Sequence, residues 1–563
     1  MDPQLANPRP RGKSLRAIVQ GELKNSRMVH GRAHRWLYLA GMFAVVLALA
    51  VSALTTERQT AWEDEIFAVS TGWSIARSHP PILSVLAQYP HTGSPIKFYG
   101  PVSFEVEASL IRLFGLSLTA WRMACIAGVG LGIWAAMRLV NLAGGDKWAA
   151  FITGLITALS GSLAPFPGRW DAMTAGLFLT GLLFFLRGVE HDGKALLWRS
   201  ATGGVFVGFS LASSPRALTL VSAAMVASFL VMLSFRRVSK KFFLGSICMF
   251  PVAALTQTIL LWPWGENSVS WYLYLRKATR ADTINATPLV GQGLWNPDLH
   301  HHKTLVVLLC IFLLIFTYQV ISQRVARTYP TKLPLKLFLT FFASINLFLM
   351  LLLLANSLGQ SPFWLPPALV AFTCWIDWSF QRDRKLGFVT ITLVGVCVLL
   401  LIFQQVEQSA SVILTWNRRS TGDLKAFVDT TLPKGAAVYG PVGGYFYPVE
   451  LSGRQYLYTH EQTTPGLYSM DRNPHPDKLD AEICSRPTYA IWPKAGGGYP
   501  LEGEPMPDAL RDRLAEKMGE FHQPRLPLWK ERILGRIGEI SGKYGFPDAV
   551  VYSLKSIAPC VDK

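Results

Sequence analysis

Three consecutive acids, Glu63, Asp64 and Glu65, stand just beyond an uncharged apolar run that ends at Leu54. A further acid, Asp171, opens a later apolar run, and the cations Lys97, Arg169 and Arg216 occupy polar stretches between such runs. Together these types suit a phosphate-bearing substrate. Cations pair the phosphate, while a carboxylate takes the proton of an incoming hydroxyl. A plainer reading exists for each: acids at a helix end are commonly solvated, and interfacial cations commonly meet lipid headgroups. Arg169, two residues from Asp171, could simply pair with it. Other polar features carry less chemistry. His300, His301 and His302 are consecutive, so regular structure cannot turn all three towards one metal ion. The aromatics and cations of "WPWGENSVSWYLYLRKATR" suit interfacial anchoring or stacking on sugar or lipid.

The elements that must hold these residues are membrane helices. The chain has 563 residues, is 50% hydrophobic and 16% charged, and has a mean hydropathy of +0.28. That is too apolar for a soluble protein of this length. Its net charge of +18 lies in short clusters between apolar runs, as the positive-inside rule expects, and no basic stripe with interleaved aromatics suggests nucleic acid. A basic tail (Arg9 to Arg35) precedes a first span at 36–54, which places the N-terminus in the cytoplasm and the acids outside. Residues 99–116 carry Glu105, Glu107 and Arg112, too many charges for a bilayer centre, and read as a helix on the outer surface. With that choice, spans at about 119–139, 148–165, 171–186, 200–213, 217–235, 242–262, 304–321, 335–355, 363–380 and 386–403 bring the total to about eleven. The basic linkers at 138–147, 187–199, 236–241, 324–336 and 382–385 then all fall inside.

The expected organisation is a cytoplasmic tail (1–35), a polytopic α-helical membrane domain (36–403) whose first outer loop spans 55–118, and an extracytoplasmic domain (404–563). The last contains the strand-like runs "AAVYG" and "TYAIW", the turn "LPKG" and a helix-like "PDALRDRLAEKMGEF", which together indicate a small α/β domain. Cys484 and Cys560 in this part could form a disulfide or remain two thiols.

Taken in order, "WEDEIFAVSTGWSIARS", "YGPVSFEVEASLIRLFGLSLTAWRMACIAGVGLG" and "GRWDAMTAGLFLTGLLFFLRG" resemble the polyprenyl-phosphate-dependent GT-C glycosyltransferases. That superfamily includes the protein O-mannosyltransferases and the lipid A aminoarabinose transferase. Its members carry an Asp-Glu pair after the first span, a Pro-led amphipathic outer helix, an Arg opening the next span and an Asp starting a later one. The resemblance covers about residues 36–240. It implies a GT-C fold in the plasma (bacterial inner) membrane, a monosaccharide donor on polyprenyl phosphate, and an envelope glycan, lipid or protein as acceptor. Transfer would invert the anomeric centre. Asp64 matches the family's catalytic base, and Glu65 a residue that positions substrate or organises the site. Asp171 matches an acid that helps bind the acceptor or, with Asp64, a divalent metal ion. Lys97, Arg169 and Arg216 are the candidates for the leaving phosphate, although "KFYGPVSF" departs from the family's Lys-Pro-Pro run. Two other classes stay open. A polysaccharide ligase or polymerase would rely on Arg and His in a late outer loop, and a flippase on charges buried in mid-span. Asp377 is the one acid inside a late span.

Overall fold

The computed structural model describes mainly residues 63–79, 99–145, 147–159, 170–234, 238–265, 333–353, 361–374, 409–458, 488–494, 508–537 and 548–555, with isolated positions between them. The first span and the span expected at 386–403 are described only at scattered positions, and the stretch 270–332, with the span expected at 304–321, and Cys484 and Cys560 lie outside the described residues.

The membrane part is helical. Helix α1 (Glu63–Ala76) and the surface helix α2 (Pro101–Phe114) precede α3 (Leu118–Leu142), α4 (Lys147–Leu159), α5 (Asp171–Val189), α6 (Gly193–Ser213), α7 (Pro215–Ser234), α8 (Lys240–Leu261), α9 (Leu333–Leu353) and α10 (Ser361–Thr373). Among the described residues four helices are long and apolar enough to cross a membrane: α3, α5, α6 and α8 with its extension to Trp264. Helix α6 begins earlier than its hydropathy suggests and takes Lys194 and Arg199 into its first turns. Its start lies beside α8, where Lys241 pairs with Asp192 at 2.7 Å. The linkers at 187–199 and 235–241 therefore share one end of the bundle.

Glycines bring the helices together. A Cβ on Gly176 of α5 would lie 2.5 Å from the carbonyl oxygen of Gly128 in α3, and one on Gly208 of α6 would lie 2.7 Å from that of Ala253 in α8. Only hydrogen fits at such distances, so small residues set helix spacing as they do in other lipid-embedded bundles. The result aligns the starts of α3 and α5 at the end opposite the Lys241–Asp192 pair.

Helix α2 forms where the sequence predicts a surface helix. Pro101 occupies its first turn, where a missing N–H costs nothing, and Gly115 ends it in the left-handed region at φ 74°. Glu105, Ser109 and Arg112 are exposed, whereas Phe104, Glu107, Ala108 and Ile111 are buried. Arg112 donates to the Ile75 carbonyl at 3.1 Å, tying α2 to the last turn of α1. The N–H of Gly100 donates to the Ser213 carbonyl at 2.8 Å, which fixes its start against the end of α6.

The C-terminal part is an α/β domain. Its five-stranded sheet has the order β2-β1-β3-β5-β4, built from β1 (Ala437–Gly440), β2 (Gln455–Tyr458), β3 (Thr488–Pro493), β4 (Leu514–Phe521) and β5 (Ala549–Leu554). Strand β1 runs parallel to β2 and β3, and β5 runs antiparallel to β3 and β4. Helix α11 (Thr421–Thr431) packs Phe427 on Phe521 at 5.5 Å, and the short α12 (Phe446–Leu451) joins β1 to β2. The two strand-like runs and the LPKG turn are found as expected, with Gly435 at φ 74°. The helix expected over "PDALRDRLAEKMGEF" is not. Only Asp508–Arg511 is helical, and Leu514–Phe521 is an edge strand. Pairing with β5 and burial of Phe521 outweigh the helix propensity of a stretch that has no apolar stripe.

Candidate active site

The site is built where α1, the start of α3 and the start of α5 meet. Glu65 and Arg122, both fully buried, form a fork-to-fork pair. The Arg122 Nε donates to Oε1 and Nη2 to Oε2, each at 2.7 Å. This arginine is the one that opens the span after α2. Trp121 and Trp170, the residues before Arg122 and Asp171, stack at 5.0 Å with their rings 12° apart. That contact locks the beginnings of α3 and α5 together. Asp171 is fully buried in the first turn of α5, where the helix dipole favours a negative charge. Glu65, Glu107, Arg122 and Asp171 all lie within electrostatic reach of Cys125.

Two members of the cluster went unassigned in the sequence. Glu107 counts there only as evidence against a span, yet it is 1% exposed. Gly72 makes room for it, since a Cβ at position 72 would lie 2.4 Å from the Glu107 Cγ. Burial and the charge of Glu65 hold the Glu107 carboxyl well above its ordinary range, which favours its neutral form. Tyr447 reaches the cluster from the C-terminal domain. Its phenol is buried and is raised by burial and then by Glu65 and Glu107, so it stays protonated. Neither the Glu107 Oε2 nor the Tyr447 hydroxyl has a hydrogen-bond partner among the described residues.

The protonation of Glu107 is testable. A neutral isostere should replace it cheaply: Glu107→Gln is expected to melt within about 2 °C of wild type at pH 7. Because the folded-state affinity for the proton is raised, wild type loses stability as the pH rises past the ordinary carboxylate range, and Glu107→Gln should lose less, keeping only the share contributed by other raised carboxyls such as Glu450. A large loss at pH 7 in Glu107→Gln, measured by thermal unfolding in detergent, would mean that the carboxyl is ionised.

Asp64 lies in the first turn of α1 beside Glu65, and Arg216 in the first turn of α7 at the same end of the bundle. The side chains of Asp64 and Arg216, and Lys97 and Arg169 entirely, lie outside the described residues, as do His300 to His302. Among the described residues no three His, Cys, Asp or Glu side chains converge on a point where a metal could sit. Glu65 is already committed to Arg122. The described side chains therefore do not make up a divalent-metal centre with Asp171.

No family model matches the sequence, and no curated protein matches it. Among solved structures, the chain is similar to ArnT from Cupriavidus metallidurans bound to undecaprenyl phosphate, with a TM-score of 0.51 at 13% identity over 93% of this chain and 99% of that one. The apo form of the same protein gives 0.51 at 14% identity over 94% and 100%. An oligosaccharyltransferase from Archaeoglobus fulgidus, in complex with Zn and sulfate, gives 0.49 at 13% identity over 80% and 68%. ArnT is the lipid A aminoarabinose transferase, a polyprenyl-phosphate-dependent GT-C enzyme. At this identity the likeness establishes architecture: the chain has the GT-C fold, a membrane helical domain followed by a C-terminal domain.

Proposed function

We propose that the protein is an inverting glycosyltransferase of the bacterial inner membrane, with a cytoplasmic N-terminus and its acid-bearing end outside. It moves a monosaccharide from polyprenyl phosphate to an envelope glycan, lipid or protein. The observation that carries this reading is the buried Glu65–Arg122 pair, which fixes the helix that begins with the acids beside Asp171, at one end of a GT-C fold. The undecaprenyl phosphate bound to ArnT supports the donor class.

In this mechanism the acceptor hydroxyl oxygen attacks the anomeric carbon from the face opposite the phosphate. The bond from that carbon to the phosphate oxygen breaks, and polyprenyl phosphate leaves with the electron pair. Asp64 takes the hydroxyl proton. Lys97, Arg169 and Arg216 compensate the charge growing on the phosphate, and Asp171 orients the acceptor. Glu65 has an organising role, since Arg122 occupies both of its oxygens.

Mass spectrometry of envelope glycans and of the polyprenyl-phosphate pool, with and without the gene, tests the proposal. Loss of one sugar from an envelope acceptor, with its lipid-linked donor accumulating, is the expected result. Unchanged glycans and an unchanged donor pool would contradict it.

A further inference from the structure

Helix α1 is gripped at two places. Towards its start Glu65 holds Arg122 of the membrane domain, and two turns later Trp73 meets the C-terminal domain. The Trp73 Nε1 donates to Oε2 of Glu450 in α12 at 3.2 Å, across 377 residues of sequence. The other oxygen, Oε1, accepts from the Tyr456 N–H at 2.9 Å. Arg77 lays its guanidinium over the Trp73 ring, 3.8 Å from the centroid, and Phe67 meets Tyr458 edge to face at 5.8 Å. One continuous core runs from α1 to β2 through these contacts.

We propose that Glu450 is a positioning residue, through which the C-terminal domain sets the seating of the acid-bearing helix. The domain is on this account a working part of the site, with Tyr447, one turn before Glu450, entering the Glu65–Glu107–Arg122 cluster. Trp73 is its large polar-edged side chain, and Glu450 sits on the neighbouring domain with its two acceptor oxygens committed to Trp73 and to the start of β2.

The charge surroundings make this contact responsive to pH. Burial raises Glu450 to about 7, while the Tyr456 and Trp73 hydrogen bonds and Arg77 pull it down. Near α12, Asp429 is paired with Lys425 at 2.6 Å and with Arg454 at 2.6 Å. A carboxyl whose affinity for the proton is higher when docked favours docking below its ordinary value of 4.5. That advantage is lost as the pH rises to about 7 and is constant above it.

Hydrogen exchange of the full-length protein in nanodiscs, read as protection factors for residues 63–76, tests the assignment without reference to transfer. In wild type, protection of this helix should fall roughly 30-fold between pH 5.5 and 8.5. Glu450→Gln should cut that fall several-fold, leaving the share that Glu107, packed against Gly72 of the same helix, contributes. Trp73→Phe, which keeps the packing and removes the donor, should lower it at both pH values while the helices α3 and α5 keep theirs. The assignment is overturned if Glu450→Gln retains the wild-type pH dependence, or if Trp73→Phe leaves protection of 63–76 intact or lowers it equally throughout the membrane domain. If the contact behaves as expected and no sugar transfer is found, the proposed function fails and this inference stands.

Discussion

Replacing Asp64 by Asn is expected to lower sugar transfer by about 10²- to 10⁴-fold, the range that a positioned general base contributes. The argument rests on the neighbouring residue. Glu65 makes both of its carboxylate oxygens available to Arg122, at 2.7 Å each, and that pair fixes the height and rotation of the first turn of α1. The backbone of Asp64 is therefore held in one place relative to α3 and α5. Asn has the same shape and cannot accept the proton, so expression, membrane insertion and melting should be close to wild type. Transfer is measured with purified protein and polyprenyl-phosphate sugar. A variant as active as wild type would remove Asp64 as the base and leave the fold untouched.

Arg122→Ala should be the most destabilising single change in the site. It strands Glu65 without a cation in a fully buried setting, and breaking such a pair typically costs about 3–5 kcal/mol. Glu65→Leu should cost a similar amount by stranding Arg122. The double variant Glu65→Leu/Arg122→Met replaces the ion pair by apolar groups of similar volume, and is expected to recover most of the loss. Transfer should not recover, because α1 no longer has the directional contact that places Asp64. Thermal unfolding in detergent, read beside the transfer assay, separates the two effects. If the double variant is as unstable as the single ones, the pair is not the isolated unit described here. If it regains transfer, the pair has no positioning role.

What the sequence disclosed follows from the physics of each element. Uncharged runs gave α3, α5 and α8 to within a few residues, because hydropathy acts locally. The charges of "FEVEASLIR" identified α2 as a surface helix, and Glu105 and Arg112 are indeed exposed. Glu107 breaks the inference in one respect. It faces inward, and the space it uses exists because residue 72, on another helix, is glycine. No pattern within either helix reveals that. Arg122 is visible as an element of the family order and Glu65 as one of the early acids, whereas their pairing is visible only in the fold. Tyr447 and Glu450 were not visible at all, since their relation to α1 spans most of the chain. The strand at Leu514–Phe521 was misread as helix because its pairing with β5 supplies what the local pattern lacks.

The orientation of the acid-bearing end carries the whole account. In a cysteine-free background, His79→Cys places an exposed thiol just past the end of α1, and His191→Cys places another at the opposite end of the bundle, next to Asp192. A membrane-impermeant maleimide applied to intact spheroplasts should label position 79 at once and position 191 only after permeabilisation. The reverse pattern would turn Asp64 and Asp171 towards the cytosol and contradict the proposed transfer.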